Sequence, residues 1–143
     1  MIMPPNSQRT CWSPPPAHLS LGIDDVHVWR AALDQPQLIV RSFYELLSID
    51  ERERAGRFYF QSDREHFVVA HGVLRSIICS YLLIGPPQLD FCYGSNGKPG
   101  LTESSGKASL RFNISHSHKL ALFAFTRDLE VGIDLEYIRE DFV

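Results

Sequence analysis

The alternation of apolar and polar residues predicts where the strands and helices of this chain lie. Residues 26–31 alternate as in a half-buried strand. Ser62-Asp63-Arg64-Glu65 has the capping-box pattern that begins a helix, and Gly85-Pro86-Pro87 ends it. The apolar residues of this long helix recur at spacings of three and four and form one stripe: Phe67, Ala70, Leu74, Ile77 and Tyr81.

A shorter helix begins at a second capping box, Ser48-Ile49-Asp50-Glu51, and carries several arginines. The remainder of the chain has β patterns, with predicted strands at residues 89–93, 110–114, 120–125 and 131–136. Short polar connections join the last three strands, as in an antiparallel meander. The order of elements predicts an α+β fold with helices packed on an antiparallel sheet.

Composition limits the classes of protein to which the chain can belong. Its 143 residues suit one ordinary domain, and proline-rich residues 1–20 are expected to form a disordered tail. A net charge of −3 provides no positive field for nucleic acid, and no apolar run is long enough for a membrane span. Three cysteines without a CxxC pair argue against a disulfide framework or a zinc site, so a cytoplasmic location is expected.

The first candidate for chemistry is the acidic pair in Val131-Gly132-Ile133-Asp134-Leu135-Glu136. On a strand, Asp134 and Glu136 project from one face, and two adjacent carboxylates repel each other unless a cation lies between them. Mg²⁺ prefers oxygen ligands and would resolve this repulsion. The hexapeptide alone favours an ordinary solvated strand edge over a metal site, because exposed acidic residues are common.

The second candidate is the segment 112–118, where a strand with apolar Phe112 and Ile114 continues into hydroxyl, amide and imidazole groups. Asn113, Ser115 and His116 would suit an anion with several oxygens, and a polar hairpin turn is the alternative. A nucleophilic Ser–His pair is disfavoured, because adjacent residues of a strand point apart.

The third candidate is Gly94-Ser95-Asn96-Gly97-Lys98-Pro99, whose lysine could bind phosphate, although a surface turn predicts the same glycines. Arg54 and Arg57 share a helix face that could hold a phosphate or could pair with neighbouring acids.

In order and spacing, these segments resemble the motif series of the 4′-phosphopantetheinyl transferases of the surfactin-synthetase-activating (Sfp) type. The resemblance runs from about residue 26 to residue 136 and includes Arg54-Ala55-Gly56-Arg57-Phe58-Tyr59-Phe60. It implies Mg²⁺-dependent transfer of 4′-phosphopantetheine from coenzyme A to a serine of an acyl- or peptidyl-carrier protein. By position, Asp134 and Glu136 would bind the metal and, with His116, belong to the catalytic set. The residues implied to bind the substrate are Arg54, Lys98, Asn113, Ser115 and His116.

The resemblance also implies a longer protein of two similar α+β halves. Family members carry a Trp-x-x-Lys-Glu helix after the acidic motif, whereas no lysine of this chain, at 98, 107 or 119, is followed by glutamate. We therefore expect a truncated transferase, with residues 21–106 as the N-terminal half and 107–143 as the start of the second half. Weak coenzyme A binding and little transfer by this chain alone are expected. The alternatives are a non-catalytic coenzyme A-binding module and a fragment that self-associates through uncovered strand surface near Leu120, Leu122 and Phe125.

Overall fold

A computed structural model describes residues 12–93, 99–101 and 109–142. Within these ranges the chain forms α-helices, β-strands and short 3₁₀ helices. In chain order they are β1 (His27–Ala32), α1 (Gln37–Leu46), α2 (Ile49–Gly56), α3 (Gln61–Leu82), the 3₁₀ helix Pro86–Gln88, β2 (Phe91–Tyr93), β3 (Pro99–Leu101), β4 (Leu110–Ser117), β5 (Leu120–Arg127) and the 3₁₀ helix Glu140–Phe142.

The main sheet is antiparallel, with the strand order β1-β5-β4, and β2 and β3 form a separate pair. β4 and β5 form the predicted hairpin, with Phe112 opposite Phe125. The predicted meander was wrong in its third strand, because β1 rather than residues 131–136 lies beside β5. Trp29 of β1 lies opposite Phe123 and extends the apolar face of the sheet. The arrangement confirms the α+β class, with helices on an antiparallel sheet.

The core lies between α3 and one face of this sheet. Phe123 and Phe125 are both 0% exposed, and the Tyr81 ring of α3 lies 5.2 Å from the Phe125 ring. The prediction that Phe125 would be uncovered was therefore wrong: α3 covers it. Leu120 and Leu122 project from the other face and are half-buried. The predicted apolar stripe of α3 is confirmed, since its members belong to the core or pack against it.

One of the two predicted capping boxes is present. Ser48 Oγ accepts a hydrogen bond from the Glu51 amide at 3.2 Å, and Glu51 Oε2 accepts one from the Ser48 amide at 3.0 Å, so α2 begins as predicted. The box at Ser62 was wrong, because the N-cap of α3 is Phe60, two residues earlier. Glu65 Oε1 instead accepts a hydrogen bond from Gln61 Nε2 at 2.8 Å.

A buried ion pair joins α2 to α3. Glu51 is 0% and Arg75 3% exposed, and Arg75 Nε donates to Glu51 Oε2 at 2.6 Å. Burial by itself raises the pKa of Glu51, but the interactions with His71, Arg75 and the Ser48 amide outweigh it and hold that pKa below its usual value. Arg75 also donates to the Leu89 carbonyl at 3.0 Å. The pair therefore fixes the chain just before β2.

Helices α1 and α3 approach closely at Gly72. A β-carbon added at Gly72 would lie 2.5 Å from Phe43 Cβ, so the Phe43 side chain of α1 occupies the space where a side chain at position 72 would lie. This contact requires a residue without a side chain at position 72.

Residues 12–20 contain neither helix nor strand, and the Arg30 guanidinium of β1 lies 4.9 Å from the Trp12 ring centroid.

The main sheet contains strands from both sides of the domain boundary expected between residues 106 and 107, and that boundary stays a prediction. In the described part of the chain, no helix has the length and apolar character needed to cross a membrane.

Candidate functional site

The segment 131–136 lies against the polar side chains of β4. Asn113 Oδ1 accepts a hydrogen bond from the Ile133 amide at 2.8 Å, and Ser115 Oγ accepts one from the Leu135 amide at 3.0 Å. The prediction of a strand here was wrong, because residues 131–136 do not form a β-strand. Two β4 side chains, rather than backbone carbonyls, receive these amide hydrogens. The structure thus brings the second and first candidate motifs together.

The acidic pair alternates in exposure with its neighbours, as expected. Asp134 and Glu136 are exposed, while Ile133 and Leu135 are half-buried. Asp134 Oδ1 lies 3.4 Å from Ser115 Oγ and 3.0 Å from the Leu135 amide. This geometry leaves the second oxygen of Asp134 without a hydrogen bond from the described residues.

The donor set of this pair suits Mg²⁺. Both residues offer carboxylate oxygens, which this ion prefers, and both are open to solvent. Among the described residues, no three or more His, Cys, Asp or Glu side chains come together as a metal cluster. Asp134 and Glu136 would therefore hold the ion only together with water or phosphate oxygens, which is a usual arrangement for Mg²⁺.

His116 projects from the opposite face of β4. In the β4–β5 register it is paired with Ala121, on the face that carries Phe112, whereas Ser115 is paired with Leu122 on the other face. The two side chains therefore point apart, as expected for neighbours on a strand. The structure does not bring the exposed imidazole of His116 together with Ser115 and Asp134.

Arg54 lies in a second region, formed by α2 and β2. Its guanidinium is 4.6 Å from the Tyr93 ring centroid, over a cleft of about 350 Å³ lined by Asp50, Glu53, Arg54, Arg57 and Tyr93. Burial raises the pKa of the Tyr93 hydroxyl, and the charge of Glu51 acts in the same direction. Arg54 and Arg57 share this cleft, as their spacing predicted.

Sequence reasoning missed Tyr93, although an aromatic residue directly before a glycine-rich turn was the signal available. Lys98 and residues 94–97 lie outside the described residues. Pro99, which follows Lys98, is paired with Tyr93 across β2 and β3.

His118 and Tyr137 form a further aromatic contact near the acidic pair. Their rings are stacked at 3.8 Å, and His118 adopts a positive φ of 53° in the β4–β5 turn. Both rings line a cavity of about 470 Å³ that also includes Glu136. His118 is exposed, and its contact with Tyr137 was not predicted from the sequence.

Comparison with known proteins places this chain in a family. A family model described as 4′-phosphopantetheinyl transferase, N-terminal, matches residues 27–127. The 4′-phosphopantetheinyl transferase HetI of a Nostoc species is 46% identical over 128 residues, covering 90% of this chain and 54% of HetI. A putative 4′-phosphopantetheinyl transferase of a Synechocystis species is 31% identical over 109 residues, 76% of this chain and 43% of that protein.

The 4′-phosphopantetheinyl transferase Sfp of Bacillus subtilis is a more distant relative, 29% identical over 94 residues, 66% of this chain and 40% of Sfp. The chain spans about half or less of the length of these relatives. The matched region includes α1 to α3 and the whole main sheet. The chain belongs to the 4′-phosphopantetheinyl transferase family.

Proposed function

We propose that this chain serves the transfer of the 4′-phosphopantetheine arm from coenzyme A to a serine hydroxyl of an acyl- or peptidyl-carrier protein, as an Sfp-type enzyme. The observation that carries the proposal is the exposed acidic pair, Asp134 and Glu136, in a segment whose Ile133 and Leu135 amides donate hydrogen bonds to β4 side chains. Family membership supports the class of reaction.

In this reaction the serine oxygen forms a bond to the phosphorus that carries the pantetheine arm. The bond from that phosphorus to the oxygen of 3′,5′-ADP breaks, and the serine proton passes to water. Negative charge accumulates on the departing phosphate, so groups that attract phosphate oxygens lower the barrier. Mg²⁺ bound by Asp134 and Glu136 would supply charge neutralisation at the diphosphate.

Arg54 is proposed to bind the nucleotide end of coenzyme A. Its guanidinium beside the Tyr93 ring presents a planar cation next to an aromatic face, a combination that suits phosphate and base together. Lys98 and His116 are proposed as further phosphate contacts, as the family resemblance implies. Asn113 and Ser115 accept hydrogen bonds from the Ile133 and Leu135 amides within the chain.

Calorimetric titration of the purified chain with coenzyme A, with and without Mg²⁺, tests the proposal. We expect weak binding that Mg²⁺ strengthens and that Asp134→Asn weakens. Asp128→Asn is the matched control, since it removes the same charge from an exposed loop residue after β5. If neither Mg²⁺ nor Asp134→Asn changes the affinity for coenzyme A, the role of the acidic pair is refuted.

Mass spectrometry of an apo-carrier protein incubated with coenzyme A, Mg²⁺ and the chain tests the transfer itself. A mass gain of one phosphopantetheine arm supports the complete reaction. Mg²⁺-dependent binding without this gain favours a non-catalytic coenzyme A-binding module. Light scattering of the purified chain alone tests self-association through the half-buried face that carries Leu120 and Leu122.

A further inference from the structure

The spacing of Asn113 and Ser115 on β4 equals the spacing of the two backbone amides that they bind in the acidic segment. They lie two residues apart on the same face of β4, and the amides that they bind, Ile133 and Leu135, are also two residues apart. The hydrogen bonds are 2.8 and 3.0 Å long. Asp134 lies between the two bound amides, so both ends of its backbone are fixed.

The Ser115 hydroxyl has a second function in this contact. It accepts from the Leu135 amide, and it lies within donating distance of Asp134 Oδ1, at 3.4 Å. A serine hydroxyl has one proton to donate. When that proton is directed to Asp134, it is not available to a phosphate oxygen of coenzyme A, which is the contact that the family resemblance implies for Ser115.

We infer that Asn113 and Ser115 are positioning residues for the acidic pair: they hold residues 133–135 on β4 and leave one Asp134 oxygen free to bind a cation. The cation-binding part of this inference rests on the proposed function. The acidic motif has no strand ladder of its own, so two side chains give it a fixed position. Groups that orient metal ligands in this way commonly change metal affinity when they are removed.

Residue-by-residue amide exchange by NMR tests the contact without any ligand. In the unmodified chain, the Ile133 and Leu135 amides should exchange more slowly than those of Asp134 and Glu136. Asn113→Ala should accelerate exchange at Ile133 by about fivefold. Ser115→Ala should accelerate exchange at Leu135 by a smaller factor, because Asp134 Oδ1 remains 3.0 Å from that amide. Ser115→Thr keeps the hydroxyl and should preserve the slow exchange. Unprotected Ile133 and Leu135 amides in the unmodified chain would overturn the inference.

Electron paramagnetic resonance of Mn²⁺, used as a probe for the Mg²⁺ site, tests the consequence. Ser115→Ala should weaken Mn²⁺ binding by about tenfold, and Ser115→Thr should restore it. Ser117→Ala is the matched control, because Ser117 lies on the same face of β4 and its Oγ is 3.3 Å from the neighbouring His118 ring. This control should leave both Mn²⁺ binding and amide exchange unchanged.

The outcomes separate the two roles of Ser115. If Ser115→Ala weakens coenzyme A binding in the absence of metal and leaves Mn²⁺ binding intact, Ser115 is a phosphate ligand and the positioning role is refuted. If the unmodified chain binds no Mn²⁺, the proposed metal function fails. Amide exchange then still decides whether the two side chains hold the acidic segment.

Discussion

Replacing Arg75 by methionine should destabilise the fold more than the loss of any exposed charge. Arg75 is 3% exposed and its partner Glu51 is fully buried, with the two joined at 2.6 Å. Methionine fills much of the same volume without a charge. The variant therefore leaves the Glu51 carboxylate buried without its cation, and removes the donor to the Leu89 carbonyl.

The expected cost follows from these contacts. An uncompensated charge left by breaking a buried ion pair costs about 3–5 kcal/mol. The lost hydrogen bond to the Leu89 carbonyl adds about 1 kcal/mol. Since the whole free energy of unfolding of a domain is about 5–15 kcal/mol, Arg75→Met should remove a large share of it.

Urea unfolding followed by circular dichroism measures this loss. Arg64→Met on the same helix is the control, because Arg64 is exposed and should change the free energy of unfolding by less than about 0.5 kcal/mol. The double variant Glu51→Gln/Arg75→Met removes both charges, and it should be more stable than the sum of the single variants predicts. Additive single and double effects, or a cost of Arg75→Met similar to that of Arg64→Met, would refute the reasoning.

Three further predictions concern helix contacts and pH. Gly72→Ala should lower the free energy of unfolding by about 1–3 kcal/mol in thermal unfolding, because its methyl group would overlap Phe43. Gly56→Ala is the control: its methyl group meets no atom within 4 Å, so this variant should be neutral or stabilising. Ser48→Ala removes the helix cap and should cost about 1 kcal/mol in the same assay, while Ser48→Thr should retain most of the stability. The folded-state pKa of Glu51 lies below its ordinary value of 4.5, so this charge stabilises the fold above that pH and the contribution is lost as the pH falls through the folded pKa. Glu51→Gln should therefore flatten the fall of the unfolding midpoint in acid, and an unchanged pH profile would contradict this assignment.

Elements that depend on local periodicity could be predicted from the sequence. The three- and four-residue spacing of apolar positions in α3 requires one buried face wherever the helix packs. The capping box at Ser48 involves residues three apart, so the sequence contains both of its partners. The β4–β5 hairpin also follows from two short alternating segments with a polar connection.

Features that depend on distant partners could not be predicted in this way. Alternating polarity in residues 131–136 fits both a strand and an extended segment, and the difference lies in the β4 side chains that receive its amides. Arg75 looks like an interruption of an apolar helix until Glu51, which lies on a different helix, is placed beside it. Tyr93 similarly becomes a candidate site residue only when its contact with Arg54 of α2 is known.

Because β1 pairs with β5, these two neighbouring strands of the sheet are roughly 90 positions apart along the chain. During synthesis on the ribosome, β1 emerges early and has no neighbour until nearly all of the described chain has followed it. The helices can form first, but the apolar side of α3 must wait for Phe123 and Phe125. We therefore expect nascent chains that stop before β5 to remain open to proteases and chaperones, and protection to arise in a single late step.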